Sequence, residues 1–172
     1  MLPYALRTYD YLERSRGMAL NWTRQLGEAA YHQPFDIGAG SLGNILTHIM
    51  ISEWYYVQRM QRADVPPYEE WDIRYEDPPP LAELEARWTE QANDTRSTLG
   101  AVTDWFSSFD YQVTDDTGAR LIVTTSVADL FTQLALHESY HRAQVVNILR
   151  RLGVSLEETD FNALMWPRRA AE

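Results

Sequence analysis

The chain has 172 residues, 45% of them hydrophobic, with 15 basic against 25 acidic residues and a formal net charge of −10. That apolar content supports an ordered core, and the acidic balance leaves no basic stripe for nucleic-acid phosphate or an anionic membrane surface. There is no cysteine, which excludes disulfides and protein thiolates, so any thiol chemistry must use a thiol that a substrate brings.

A chain of this length predicts one domain over residues 1–172. Its first residues, M-L-P-Y-A-L-R, do not lead from a basic segment into an apolar run, so a cytoplasmic protein is expected rather than a secreted one. No stretch is long and apolar enough to span a bilayer. Residues 4–26 predict a first helix, with Leu6, Tyr9, Leu12 or Glu13, Arg16 and Leu20 at helical spacing, Pro3 suited to its first turn and Gly17 weakening its middle. His32–Gly40 holds Pro34, Gly38 and Gly40 and reads as a loop, with His32 an ordinary loop histidine. Ser41 is a good N-cap for a second helix over 42–62, whose inward stripe is Ile45, His48, Ile49, Ser52 and Tyr56. The neighbouring Trp54 and Tyr55 add bulk that by itself is plain core packing.

Residues 63–80 carry Pro66, Pro67, Pro78, Pro79 and Pro80. This is a connection too long for a tight helix hairpin. Loops of that length can cover a site, and a plain crossover between helices accounts for it equally well. A third helix is expected over 81–106, with Leu81, Leu84, Trp88, Ala92, Thr95 or Arg96, and Leu99 on one face. The period then changes to alternation at Phe109, Tyr111 and Val113, D-D-T-G at 115–118 signals a turn, and Leu121–Val123 resumes an apolar run. That pattern predicts a short β-hairpin. Thr125 or Ser126 caps the last long helix, 127–151, and Gly153 ends it. In the tail, 154–172, Phe161, Leu164 and Trp166 are apolar enough to dock on the helices. Four long amphipathic segments make an all-α fold, a four-helix bundle with a short β-hairpin before the last long helix.

The last long helix contains the most informative stretch, L-A-L-H-E-S-Y-H-R-A-Q from Leu134 to Gln144. His137 and His141 are four apart and so stack on one helix face. Leu130, Leu134, Val145, Ile148 and Leu152 recur on the same face, which points both imidazoles at the core. Each buried imidazole needs partners for two ring nitrogens, and a shared divalent metal satisfies one on each. His48 lies on an inward face of another helix and completes a three-nitrogen set. Three protein ligands leave at least one position open, the pattern of a catalytic rather than a structural zinc site. Zinc, nickel, iron and copper all suit three nitrogens. His137-Glu138-Ser139-Tyr140-His141 also reads H-E-x-x-H, the zincin signature in which the glutamate is the general base. The extended form of that signature expects Gly at 144 and His at 147, where this chain has Gln144 and Asn147. A carboxylate from Glu157, Glu158 or Asp160 would have to serve as the third ligand.

His48 within S-L-G-N-I-L-T-H-I, a hairpin, then His137, His141, Arg142 and Gln144 within H-E-S-Y-H-R-A-Q resemble the DinB/YfiT-like metalloprotein superfamily, as does the ending D-F-N-A-L at 160–164. The resemblance covers nearly the whole chain in element order. It implies a four-helix bundle, a homodimer, and one divalent metal ion on His48, His137 and His141. Relatives include S-transferases that use small thiols such as bacillithiol and a mycothiol-dependent isomerase, so it implies a small-molecule thiol and an electrophilic substrate as partners. Gln144 sits three on from His141 and is placed to bond a metal-bound water, or simply to pack. Glu138 reads as a base, as an acceptor for an imidazole N–H, or as a solvated helix residue. Arg142, about 100° round the helix, reads as half of a structural ion pair, and Glu53 as a weaker acceptor near His48. Three functions follow: a metal-dependent enzyme that activates a small thiol for S-transfer, a metal-dependent hydrolase with Glu138 as base, and a non-catalytic metal-binding or dimerising helical module.

Overall fold

The computed structural model describes residues 4–115 and 117–169, so the expectations for Pro3, for Asp116 in the hairpin turn and for the last three residues of the tail lie outside the described residues. The predicted helices form as α1 (Ala5–Leu26), α3 (Leu42–Met60), α4 (Leu81–Ala101) and α5 (Val127–Arg151), with one-turn α2 (Glu28–Tyr31) and α6 (Phe161–Met165) at the ends of α1 and of the chain. Ser41 Oγ accepts from Asn44 N at the start of α3. Ser126, rather than Thr125, caps α5 in a reciprocal box with Asp129. The helix expected over 81–106 stops at Ala101. Val102 is extended, and Trp105 turns into the core while its carbonyl accepts from Ala128 N, which ties this connection to the first turn of α5. β1 (Phe109–Thr114) and β2 (Arg120–Thr125) pair antiparallel with Phe109 opposite Thr125. Leu121 and Ile122 are apolar but exposed, so this run contributes β propensity and no core.

Two apolar clusters fill the bundle, one around Tyr9, Leu12, Val57, Leu99, Leu130 and Leu134, the other around Leu20, Ile45, Ile49, Leu84, Val145 and Ile148. Residue numbers rise from the first cluster to the second in α1 and α5 and fall in α3 and α4. The helices therefore run as two parallel pairs packed antiparallel, with α5 touching both α1 and α3, and α4 touching the same two. A parallel step from α3 to α4 obliges the chain to travel back the length of a 19-residue helix, about 28 Å. Residues 61–80 are that crossover, and the side chains of Tyr68, Trp71, Ile73 and Tyr75 pack along the second cluster as it returns. The tail packs on α1: Arg7 and Arg14 donate to the carbonyls of Met165 and Leu164, and Phe161 meets Tyr11.

Between the two clusters lies a buried charged layer built from all four long helices. Arg16 on α1 donates to both oxygens of Glu138 on α5 at 3.3 and 2.9 Å and reaches Glu53 on α3 at 3.0 Å. Its guanidinium lies 4.4 Å from the ring of Trp88 on α4. Glu53 also accepts from Tyr9, Trp88 Nε1 and Thr95, and Glu138 pairs again with Arg142, whose other end donates to Tyr11. Two arginines meet two carboxylates, so the layer is neutral. Burial alone would pull the Arg16 pKa down, and Glu138 and Glu53 together hold it above its ordinary value. Removing the central cation leaves the buried Glu53 with no positive partner and Glu138 with Arg142 alone. Arg16→Met is expected to lower stability by about 3–5 kcal/mol, read as the fall in urea midpoint, with part of the loss recovered when Glu53→Gln and Glu138→Gln are added.

Candidate metal centre

Helix geometry brings the three histidines together. His137 and His141 are successive turns of α5, with ring centroids 4.4 Å apart, and α3 lays His48 against both at 4.9 and 4.6 Å. The Nε2 atoms of His48 and His137 are 3.0 Å apart, and one ligand atom from each of the three lies within 4.8 Å of the others. Three nitrogens on one tetrahedral ion with bonds of about 2.0–2.1 Å sit about 3.3 Å from one another. The cluster is thus able to coordinate a metal, and His48, His137 and His141 are the three residues that the helical spacing points to.

The surroundings orient these rings. His141 Nδ1 is 3.0 Å from Gln144 Oε1. An amide oxygen only accepts, so Nδ1 carries the proton and Nε2 is left as the ligand atom. Gln144 is in turn held by the 32–40 loop: a Cβ added at Gly38 would lie 2.1 Å from Gln144 Oε1, and Gly38 has φ +55°, a conformation that glycine adopts without strain. Each imidazole also meets one tyrosine ring: Tyr75 at His48, Tyr56 at His137 and Tyr140 at His141, with centroids 5.3, 5.9 and 5.0 Å apart. Tyr75 arrives from the crossover and Gly38 from the α2–α3 loop, so the two connections predicted to be irregular both reach the site.

The placement of the site on α5 differs from the expectation of a central histidine stripe. The middle of the buried stripe belongs to Glu138 and Arg142, while His137 and His141 are half-buried at its edge. Two guanidiniums occupy the Glu138 carboxylate, and four donors occupy Glu53, so both belong to the charged layer. Arg142 makes the structural ion pair expected of it. Arg16 is the residue whose role helical spacing does not reveal. Its place on the inner stripe of the first helix is the one signal for it, because a guanidinium at a core position requires a buried carboxylate partner.

Burial, followed by the neighbouring His141, pushes His48 down to about 4, and burial with His141 and His48 pushes His137 down to about 3. Both rings are therefore neutral near pH 7, the form that ligates. The DinB family matches residues 1–171. The chain belongs to the DinB family. No curated protein matches it. This DinB protein is a four-helix bundle with a hairpin before its last long helix and a three-histidine cluster fit for a metal, and no helix among its described residues is long and apolar enough to cross a membrane.

Two outcomes are expected of the centre. In chelator-treated protein the folded His48 and His137 stay neutral while the unfolded chain protonates near pH 6.5, so their contribution to stability is complete above that value and is lost as the pH falls toward about 4 and then about 3. Denaturation at pH 7.5 and 5 should show a smaller acid loss in His48→Asn/His137→Asn than in the parent chain. Gln144→Leu should weaken metal retention by roughly 10- to 100-fold in a competition titration, with the thermal midpoint of the chelated protein little changed.

Proposed function

We propose that this DinB protein is a metal-dependent enzyme in which His48, His137 and His141 hold one divalent ion, zinc, nickel or iron, and a small thiol is activated there for S-transfer to an electrophile. The observation that supports it is three imidazoles from two helices within reach of a single ion, in a chain whose own residues supply no thiol. Three protein donors leave room in the coordination sphere for a substrate. When bound, such an ion lowers the pKa of a thiol or water that approaches it.

The remaining work falls to side chains. The low pKa values of His48 and His137 keep both rings neutral, so each has one nitrogen without a proton to offer an ion. Gln144 fixes the His141 tautomer, and the edges of Tyr56, Tyr75 and Tyr140 narrow the approach to the rings. In the reaction the substrate's S–H proton passes to solvent, sulfur forms a bond to the electrophilic carbon, and the leaving group departs with the bonding pair. Glu138 acts in this reading as a positioning residue: its ion pair with Arg16 sets the rotation of α5 and hence the aim of the histidines beside it. The exposed Leu136 and Tyr140 on α5 support a homodimer.

Elemental analysis of protein purified without a metal-affinity tag should find one ion per chain, and His141→Ala should lose both that ion and thiol-dependent turnover of a model electrophile. Fully loaded protein with no turnover across a panel of small thiols and electrophiles would overturn the reading in favour of a non-catalytic metal-binding module.

A further inference from the structure

A second feature lies away from the histidines. A cavity of about 570 Å³ opens between α3, α4 and the crossover, and none of the three histidines lines it. Its size is that of a small-molecule site. The apolar wall is Trp54 on α3 and Trp71 on the crossover, edge to face with ring centroids 4.9 Å apart. Trp71 is held by a hydrogen bond from Nε1 to the carbonyl of Pro66.

The floor carries a directed acceptor. Gln91 on α4 lines the cavity and is 8% exposed. Its Nε2 donates to Thr95 Oγ1 at 3.3 Å, and that hydroxyl donates to the Glu53 carboxylate at 2.7 Å. A threonine hydroxyl has one proton. The Glu53 carboxylate and the Gln91 backbone carbonyl, at 2.7 and 2.9 Å, both draw on that proton, so toward the Gln91 side chain Thr95 can only accept, and the amide nitrogen is the end that faces it. Gln91 Oε1 is left as an acceptor without a donor among the described residues, in a side chain that opens on the cavity.

The rim is anionic. Glu70, Asp72 and Glu90 line it, and their carboxylates make no hydrogen bond or ion pair among the described residues. The cation on the same rim, Arg87, is already paired with Glu83 one turn back on α4. Indole faces, a buried amide oxygen and unpaired carboxylates together favour a cation that has both N–H donors and an apolar body. We propose that this cavity binds a small organic amine in its ammonium form, its body against Trp54 and Trp71 and its nitrogen donating to Gln91 Oε1 and the rim carboxylates. The site does not depend on the ion at the histidines. It is linked to them through the crossover, where ring contacts run from Trp71 to Tyr68 at 5.0 Å, to Tyr75 at 6.2 Å and to His48 at 5.3 Å.

The test titrates the full chain with 2-phenylethylamine and with its neutral counterpart 2-phenylethanol, reading affinity and the indole N–H resonances of the six tryptophans. The amine should bind about tenfold tighter or better, shifting Trp54 and Trp71 and leaving the other four in place. The surface variant Glu70→Gln/Asp72→Asn/Glu90→Gln, which touches no core contact, should lose most of that preference while its affinity for the alcohol holds. Gln91→Leu, checked for folding by its thermal midpoint, should weaken the amine in the same direction. Equal affinity for the two probes, no binding of either at millimolar concentration, shifts confined to other indoles, or an unchanged preference in the triple variant would each overturn the proposal.

Discussion

The structure depends on one buried guanidinium. Arg16 sits between two carboxylates and over an indole, and through them it contacts every other long helix. Apolar packing alone would leave each helix some freedom to rotate, because Leu, Ile and Val interchange with little penalty. A buried charge has no such freedom, since a misplaced carboxylate in this layer would be desolvated and unpaired. The orientation of α5 is therefore fixed by Glu138, and the direction of His137 is fixed as a consequence. In this chain the H-E pair divides its labour: Glu138 locks the helix from inside and His137 joins the histidine cluster.

The same layer reaches the second site through hydrogen-bond polarity. Glu53 accepts a hydrogen bond from Thr95, Thr95 accepts one from the Gln91 amide nitrogen, and the Gln91 side chain lines the cavity. Both candidate sites thus take side chains from α3, His48 in one and Trp54 in the other. Both are bounded by the crossover, whose length follows from the parallel arrangement of α3 and α4.

The helices and the hairpin were legible because their apolar periods, caps and turn residues agree with one another. The histidine set was legible for a similar reason: His137 and His141 share a face of one helix, His48 has an inward position on another, and apolar packing alone gives no cause to gather three imidazoles there. The end of α4 was not, since Val102–Trp105 continues an apolar pattern that only the tertiary docking of Trp105 interrupts. Nor was the division of the α5 stripe. His137, Glu138, His141 and Arg142 are all polar, and helical spacing alone cannot say which pair lies at the centre of the interface and which at its edge. That depended on Arg16, over a hundred residues away in the chain, which supplies the charge that makes Glu138 stable inside.

That separation also bears on how the molecule assembles. Arg16 and Glu138 are 122 positions apart, whereas Tyr9 and Glu53 are 44 apart and Trp88 and Glu53 are 35 apart. During synthesis the first three long helices can collapse with Glu53 already paired, yet Arg16 waits for its second partner until the last helix has emerged. Locking of the middle of the protein is thus a late event governed by the entropy of closing a long loop, and a nascent or truncated chain lacking its final helix would present the Arg16–Glu53 ion pair on an uncovered surface open to chaperones.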